Sequence, residues 1–194
     1  MNSSTTDDLQ LSCRGTWRSY DGTGGLPGPM ITICQDRDGY LWMGSYKSGA
    51  SRYDGEVFRT FTTAEGLAGD VVWTIFQDQA GDLWFGTWTG LSRYDGQTFQ
   101  NFTTTDGLVH DQVQAIAQDP EGRIWIGTEG GLSCYDGHAF QNYTTADGLA
   151  DDEVNALVLD PEGRIWIGTE GGLSCYDGHT FQNYTTADGL VDDE

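Results

Sequence analysis

An all-β fold is predicted by three features of this sequence. The segment DPEGRIWIGTEGGLSCYDGH at 119–138 returns letter for letter at 160–179, and looser versions begin at Asp36 and Asp78. Gly-Leu pairs recur every 41 residues, and a fixed period of this length indicates a repeat architecture. Each period also holds four short strand-like segments with aromatic residues, separated by turn sequences. Together these features predict a β-propeller of four-stranded antiparallel blades, 41 residues each, with four full blades per chain. A stacked β-solenoid is the alternative.

The 41-residue spacing of the Gly-Leu pairs predicts the boundaries of the units. The four full blades are expected at residues 25–65, 66–106, 107–147 and 148–188. Residues 16–20 match the last strand of a later unit, and residues 189–194 begin a fifth unit, so the predicted propeller spans 16–194. Residues 1–15 are predicted to be a disordered lead.

The third unit shows why each element is expected. Its first strand is rich in small and β-branched apolar residues, which suits a strand buried on both sides. Asp119-Pro120-Glu121-Gly122 is a turn sequence, with Asp at the first position, Pro fixing φ at the second and Gly last. The Gly130-Gly131 pair permits the next reversal, and Asp136-Gly137 is a strong hairpin signal. Strands A to D of this unit are predicted at 112–118, 123–128, 132–135 and 140–144.

The charge of the chain excludes several classes of partner. Thirty acidic against nine basic residues give a formal net charge of −21. A nucleic-acid binder needs Lys and Arg to displace counterions, and an anionic membrane surface also attracts basic segments, so neither is expected as a partner. No apolar run approaches the roughly 20 residues that span a bilayer, and residues 1–15 lack the regions of a secretory signal. The sequence as read predicts a cytoplasmic protein without membrane insertion.

A family resemblance is carried by the string I-x-x-D-x-x-G-x-x-W-x-G-T-x-x-G-L-S-x-Y-D-G at 116–137. It resembles the two-component regulator propeller repeat, and four successive copies extend the resemblance over about residues 16–194. Such repeats occur in the sensor regions of bacterial hybrid histidine kinases. The resemblance implies a sensory or ligand-binding propeller, and a periplasmic location if a signal has been lost. It implies no kinase activity. The first unit departs from the pattern by one residue missing around 27–30 and one added around 47–48.

Two residue types recur in every unit and are interpreted as scaffold. One tryptophan per unit stands in strand B, and burying such a ring removes ~150–250 Å² from water, so we expect these residues to form the core between blades: Trp42, Trp84, Trp125 and Trp166. One aspartate per unit ends strand A. Repeated carboxylates suggest calcium, but the ligand spacing of an EF-hand loop is missing. These aspartates are therefore interpreted as turn caps: Asp36, Asp78, Asp119 and Asp160.

Candidate ligand-binding residues come from positions where the units differ, because the scaffold does not fix them. The B–C turn carries, at one equivalent position, Tyr46, Trp88, Glu129 and Glu170. Alternation of loop ends places this turn on the same face as the D–A crossover loops, with Asp111 and Asp152, and as Trp73 near the start of a strand A. Aromatic faces stack on sugar rings and carboxylates accept hydrogen bonds from hydroxyls, so this face is predicted to bind a glycan or a similar small ligand. An acidic, solvent-facing rim is the alternative interpretation.

No residue pattern predicts catalysis, a metal site or a cofactor. His138 and His179 have no second ligand or nucleophile at a useful spacing, and Ser133 lacks the context of a nucleophile elbow. A glycosidase-type carboxylate pair on the variable face is a remote alternative. Cys134 and Cys175 occupy equivalent positions too far apart for a disulfide, so the cysteines are predicted to be free thiols. The protein is therefore predicted not to be an enzyme.

An open arc of four blades would expose two apolar blade faces, which monomers rarely tolerate. Head-to-tail association of the chain with itself is therefore predicted, most simply as a dimer that closes an eight-bladed ring. A chain cut from a longer protein explains the ends equally well. Two functions stay open: a non-enzymatic sensory propeller that binds a glycan or another small ligand, and a structural or protein-interaction propeller that assembles into a ring. The third and fourth units differ at eight of 41 positions, which indicates recent blade duplication or deliberate construction.

Overall fold

Sixteen strands form four antiparallel sheets in the computed structural model, which describes residues 28–192. The first sheet contains β1 (Met30–Gln35), β2 (Leu41–Ser45), β3 (Ala50–Tyr53) and β4 (Phe58–Phe61). The second contains β5 (Val72–Gln77), β6 (Leu83–Thr87), β7 (Gly90–Tyr94) and β8 (Phe99–Phe102). The third contains β9 (Val113–Gln118), β10 (Ile124–Thr128), β11 (Gly131–Tyr135) and β12 (Phe140–Tyr143). The fourth contains β13 (Val154–Leu159), β14 (Ile165–Thr169), β15 (Gly172–Tyr176) and β16 (Phe181–Tyr184).

The four sheets are arranged as the blades of a propeller. Strands pair in chain order within each sheet, and the first strands of successive sheets lie against one another: β1 against β5, β5 against β9, and β9 against β13. The predicted all-β propeller of four-stranded antiparallel blades is confirmed, and the solenoid alternative is wrong. The predicted lead at 1–15 and extra strand at 16–20 lie outside the described residues.

A three-residue 3₁₀ turn follows the last strand of each blade: Thr63–Glu65, Thr104–Asp106, Thr145–Asp147 and Thr186–Asp188. In the third blade the Thr144 hydroxyl accepts a hydrogen bond from the Ala146 N–H, and the Asp147 carboxylate accepts one from the Thr144 N–H. This reciprocal capping box fixes the start of the turn. Gly148 ends it with a φ of 108°, in the left-handed region that favours glycine. The recurring crossover sequence therefore encodes a defined connection between blades.

The hydrophobic core lies between the blades, and a tryptophan stands at the centre of each junction. Trp42, Trp84 and Trp125 are 1%, 2% and 1% exposed, and each belongs to a cluster shared with the next blade. The Trp42 ring makes a T-shaped contact with the ring of Phe85 in the second blade, and the two centroids are 5.5 Å apart. Trp166 is only partly buried, because no described blade follows it.

Each tryptophan is also held by the aspartate that follows strand A of its own blade. Trp125 Nε1 donates to Asp119 Oδ2 at 2.8 Å, and the same bond joins Trp84 to Asp78 at 2.8 Å. The other oxygen of Asp119 accepts the backbone N–H of Arg123 at 2.8 Å and so caps the A–B turn. These donors compensate for the desolvation of a buried carboxylate. The corresponding pairs in the first and last blades are Asp36–Trp42 and Asp160–Trp166.

A guanidinium lies over each of these indoles, but two different sequence positions supply it. In the second blade, Arg93 on strand C lies 5.6 Å from the centroid of Trp84. In the third blade, Arg123 comes from the A–B turn instead and lies 5.5 Å from the centroid of Trp125. Arg123 Nε also donates to Asp119 Oδ2 at 2.6 Å, so the same carboxylate binds both the indole and the guanidinium.

The presence of cysteine in the third and fourth blades is explained by this change in the position of the arginine. Asp82, which accepts a 2.7 Å hydrogen bond from Arg93 Nε, is replaced in the third blade by Arg123. Cys134 then stands at the position of Arg93, where a second guanidinium would meet the first over one ring. Burial raises the pKa of the Cys134 thiol to about 11, so the thiol stays protonated at neutral pH. The cysteines within the described residues are all free: Cys34, Cys134 and Cys175.

A glutamine at the end of strand A connects its blade to the preceding one by accepting a hydrogen bond from a backbone N–H in the A–B turn of that blade. We call this hydrogen bond the latch. Gln118 Oε1 accepts the backbone N–H of Gln79 at 2.7 Å, and the equivalent bond between the first and second blades is 2.9 Å. At the third junction both halves of the latch are replaced. Pro120 has no N–H to donate, and Leu159 has no side-chain oxygen to accept it. Each junction therefore carries a matched pair.

The repeated serine and asparagine of strands C and D also belong to the scaffold. Ser133 Oγ donates to Asn142 Oδ1 at 2.7 Å, and Asn142 Nδ2 donates to the Gly107 carbonyl at 2.9 Å. Ser133 Oγ in turn accepts the N–H of Val109 at 3.1 Å. The pair ties the crossover from the preceding blade to the outer strands of its own blade.

We expect Trp125→Ala to lower the free energy of unfolding by about 3–5 kcal/mol, because it opens a cavity between two blades. Trp166→Ala is the matched control, since Trp166 makes the same indole bond but has no described blade packed on its outer side. It should cost about half as much or less. Urea unfolding of dilute protein, followed by circular dichroism, measures both changes. Equal losses would contradict the assignment of the core to the junctions.

The exchange of arginine between two positions gives a double-mutant prediction. Cys134→Arg should destabilise the fold by about 1–3 kcal/mol, because it overpacks the junction and brings two guanidiniums to one indole. Adding Arg123→Asp recreates the Asp82–Arg93 arrangement of the second blade and should recover most of the loss. Urea unfolding of both single variants and the double variant checks the coupling. Losses that simply add would show that the two positions are independent.

Candidate functional site

A β-bulge displaces one residue of each first strand, on the face where the crossovers enter the sheets. The pairing of β5 with β6 passes from Val72–Thr87 to Thr74–Gly86, so Trp73 falls between the paired residues. The same register shift sets aside Ile31, Gln114 and Asn155 in the other three blades. Bulges of this kind re-aim a side chain. In the second and fourth blades the bulged side chain contacts the B–C turn.

Three of the predicted ligand-binding residues form a row of aromatic rings across the first and second blades. In this aromatic row, the Trp73 centroid lies 5.8 Å from that of Tyr46 and 6.1 Å from that of Trp88. The Trp88 N–H donates to the Val71 carbonyl at 3.1 Å, which holds the B–C turn beside the start of β5. Tyr46 and Trp88 are each 45% exposed, so the row is open to solvent at both ends. Lys47 Nζ lies 5.8 Å from the Tyr46 centroid.

The third and fourth blades carry acid–amide pairs on the same face. Gln112 Nε2 donates to Glu129 Oε1 at 2.9 Å, and Asn155 Nδ2 donates to Glu170 Oε1 at 2.8 Å. Backbone bonds again tie the turn to the crossover, since the Glu129 N–H donates to the Gln112 carbonyl at 3.2 Å. Each carboxylate is thus oriented by an amide, and its second oxygen can accept a hydrogen bond from a ligand hydroxyl.

The remaining predicted site residues, Asp111 and Asp152, are built into the crossover loops. Asp111 Oδ1 accepts the N–H of Thr104 at 2.7 Å, and Asp152 Oδ1 accepts the N–H of Thr145 at 2.7 Å. Both bonds satisfy the first backbone donor of a 3₁₀ turn. Their contacts within residues 28–192 thus serve the loops and do not reach the aromatic row.

Sequence reasoning did not select the bulged residues Ile31, Gln114 and Asn155, or the amide of Gln112. A signal was available, because the bulge position differs among the units as strongly as the B–C turn does. The alternating pattern of polar and apolar residues along strand A does not reveal the bulge. A strict alternation of faces along strand A assigns these residues by parity, and one extra residue changes that assignment.

Clefts also open on the opposite face, between the A–B and C–D turns of neighbouring blades. The cleft between the second and third blades has a volume of about 330 Å³ and includes in its lining Asp78, Trp84, Arg93, Tyr135 and Asp136. A cleft of about 180 Å³ recurs between the first and second blades, with the equivalent Asp36, Trp42, Arg52, Tyr94 and Asp95 in its lining. Because both clefts are lined by the same scaffold positions of two successive junctions, we assign them to the repeat and not to a specialised site.

No group of three His, Cys, Asp or Glu side chains within residues 28–192 has a geometry that could hold a metal ion. The helical segments of these residues are single three-residue turns, and none is long or apolar enough to cross a bilayer.

Comparison with known structures finds propellers. The extracellular domain of BT3049 from B. thetaiotaomicron, described as a hybrid two-component system, matches with a TM-score of 0.75 and 26% identity over 88% of this chain and 24% of its own. The extracellular domain of BT4673 from the same organism, described as a one component system, matches with a TM-score of 0.72 and 21% identity over 84% of this chain and 26% of its own. Virginiamycin B lyase from Staphylococcus aureus matches with a TM-score of 0.65 and 14% identity over 81% of this chain and 55% of its own.

These structural matches differ in sequence identity and in how much of each known structure they cover. This chain spans about a quarter of the length of the two B. thetaiotaomicron structures. The likenesses to BT4673 and to the lyase, at 21% and 14% identity, show the fold alone. No curated protein sequence matches the chain.

The sequence profile of the two component regulator propeller matches four segments: residues 24–47, 66–89, 107–130 and 148–171. Each segment runs from the crossover through strands A and B to the B–C turn, and so contains the aspartate and the tryptophan that anchor a blade. One match falls on each of the four blades. The chain therefore belongs to the two-component regulator propeller family.

Proposed function

We propose that this chain is a sensory propeller that binds a neutral, glycan-like ligand on the face formed by the B–C turns and the D–A crossovers. The observation that carries the proposal is the aromatic row, in which three rings contact one another and two are 45% exposed. The scaffold does not require these rings, because the turn positions of Tyr46 and Trp88 hold Glu129 and Glu170 in the later blades. Exposed aromatic surface that the fold does not need is typical of a binding site.

The chemistry of the face favours a polyhydroxylated ligand. Aromatic faces stack on the apolar faces of sugar rings, and the acid–amide pairs offer both acceptors and donors to hydroxyl groups. The row lies on the first two blades and the pairs lie on the last two, so one ligand can meet stacking and polar contacts together. The net charge of −21 disfavours an anionic ligand.

Family membership supports the sensory role. BT3049 is described as a hybrid two-component system, and the matching structure is its extracellular domain. We therefore place this module outside the cytoplasm and assign it a binding role without catalysis. The expectation of a cytoplasmic protein is replaced in this proposal by the placement of that related domain.

A protein-interaction propeller that assembles into a ring is the second candidate. The observation that favours it is the exposure of apolar residues on the outer sides of the first and fourth blades, such as Ile33 and Val158. This property does not involve the aromatic row, so the two candidates are tested separately.

We expect the wild-type chain to bind neutral oligosaccharides on a glycan array and Trp88→Ala to bind the best of them at least about tenfold more weakly. Loss of one stacking platform removes on the order of 1.4 kcal/mol, which corresponds to that factor. Titration calorimetry with the array hit measures the change. Trp88→Phe should keep most of the affinity, since it keeps an aromatic face.

Val57→Ala is the matched control, because Val57 is also an exposed apolar residue but lies in the C–D turn at the other end of the blade. It should leave the affinity unchanged. The melting temperature of each variant confirms that the fold is intact. A wild-type chain that binds no neutral glycan, or a Trp88→Ala variant with full affinity, would contradict the proposal.

A further inference from the structure

We propose that the outer sides of the first and fourth blades dock onto each other between two copies of this chain, head to tail. The leading face is the side of the first blade that carries Met30, Ile33, Leu41 and Met43. The trailing face is the side of the fourth blade that carries Trp166, Leu173, Tyr184 and Leu190. Two copies joined at both pairs of faces form a ring of eight blades. This inference is independent of the proposed ligand.

The leading face has the residues of a filled junction, but no blade among residues 28–192 packs against it. Ile33 is 65% exposed, whereas Ile75, its equivalent in the second blade, is 7% exposed in the cluster around Trp42. Beside Ile33 lies a recess of about 330 Å³ lined by Met30, Ile31, Thr32, Ile33 and Met43. Met43 stands at the position of Phe85, which makes a T-shaped contact with the Trp42 ring. The recess is therefore the place where a preceding blade would insert its indole.

The trailing face has the complementary set. Trp166 is held by Asp160 at 3.0 Å in the same way as the buried tryptophans, but it is only partly buried. Leu173 and Leu190 are likewise partly exposed, whereas their equivalents Leu132 and Leu149 are buried against the fourth blade. The indole, the strand leucine and the crossover leucine are thus positioned for a next blade.

The backbone of the trailing face also leaves room for an approaching strand. A Cβ added at Gly127 would lie 3.0 Å from the carbonyl oxygen of Val154, at the start of the next blade. At the equivalent Gly168, an added Cβ would meet only Ala156 of its own blade. The groove that admits a first strand is therefore present and open. In a second copy, Met30 stands at the valine position and would enter it.

A second copy is the occupant that these observations favour, because the same chain supplies both halves of the junction. The internal junctions show that indole, leucine and aromatic residues on one side pack against aliphatic and aromatic residues on the other. The proposed junction repeats this pairing and continues the established interface. Apolar faces of this kind favour association when exposed.

One mismatch makes the proposal specific. Gln35 has the position of the latch glutamines, but in a second copy it would face Pro161, which has no N–H to donate. The second blade shows that glutamine fits at the proline position, since Gln79 there donates to Gln118 at 2.7 Å. Pro161→Gln should therefore strengthen association by ~10- to 100-fold, because each of the two junctions of the ring gains one net hydrogen bond that is worth ~3- to 10-fold.

Sedimentation velocity of the full chain between 1 and 100 µM, a range of about two decades in concentration, tests the proposal. We expect a species of twice the 21.3 kDa chain mass. Ile33→Asp and Leu190→Asp should each weaken association by at least about a hundredfold, because each buries an unpaired carboxylate. Val57→Asp is the control, since the equivalent Thr98 and Ala139 stay exposed beside filled junctions.

Mixing the two weakened variants separates head-to-tail docking from other modes. The Ile33→Asp chain keeps an intact trailing face and the Leu190→Asp chain keeps an intact leading face, so the mixture should form a heterodimer through one good junction. Docking of like faces would instead leave one variant fully associated. A monomeric wild type at 100 µM, roughly the top of that range, or a mixture that associates no better than its components, would overturn the proposal. Circular dichroism confirms that both variants are folded.

Discussion

The junction between successive blades is the constraint on which the rest of this structure depends. A single four-stranded sheet of this size has no core of its own, so it becomes stable only when its apolar side is covered by a neighbour. The tryptophan of strand B is the largest buried side chain at each filled junction. Burial of such a ring contributes at most ~4–6 kcal/mol by area. One oxygen of the aspartate carboxylate accepts the indole N–H and fixes the ring, and the other oxygen accepts a backbone N–H and closes the A–B turn.

The repeats are therefore not interchangeable, although they look alike. In the second blade the guanidinium over the indole comes from strand C and is held by Asp82; in the third it comes from the A–B turn, and a cysteine fills the vacated position. The latch shows the same dependence across a junction, where Pro120 and Leu159 replace a donor and an acceptor together. Each blade thus matches the specific neighbour on either side of it.

The period and the turn chemistry were enough to predict the fold. The predicted strands of the third unit agree with β9 to β12 within one residue at each end, because Asp-Pro-Glu-Gly and Asp-Gly leave little freedom in where a strand stops. The tryptophans and aspartates were recognised as scaffold, but separately. Their shared hydrogen bond joins residues six apart across a turn, and only the register of strands A and B brings those atoms together.

The candidate site was predictable only in part, for two physical reasons. Disagreement among the units pointed to Tyr46, Trp73 and Trp88, and these rings do lie in one row. The bulge that turns Trp73 and Asn155 toward the B–C turns leaves no mark in a period-two pattern. The sequence gives no sign that the carboxylates of Asp111 and Asp152 have a hydrogen-bond partner within the chain, yet each accepts a hydrogen bond from a backbone N–H seven residues upstream.

The aromatic row and the exposed outer sides of the first and fourth blades lie on different parts of the propeller, so association of two chains would not disturb the row. The row crosses the first junction, which is filled within one chain, because Tyr46 belongs to the first blade and Trp73 to the second. Its geometry is set by the packing around Trp42 and does not require a second copy. Ring closure would instead bring the acid–amide pair of the fourth blade next to Ile31 of another copy, in the way that Tyr46 lies next to Trp73 within one chain. Association would therefore extend the binding face from four blades to eight while leaving the stacking surface of each chain intact.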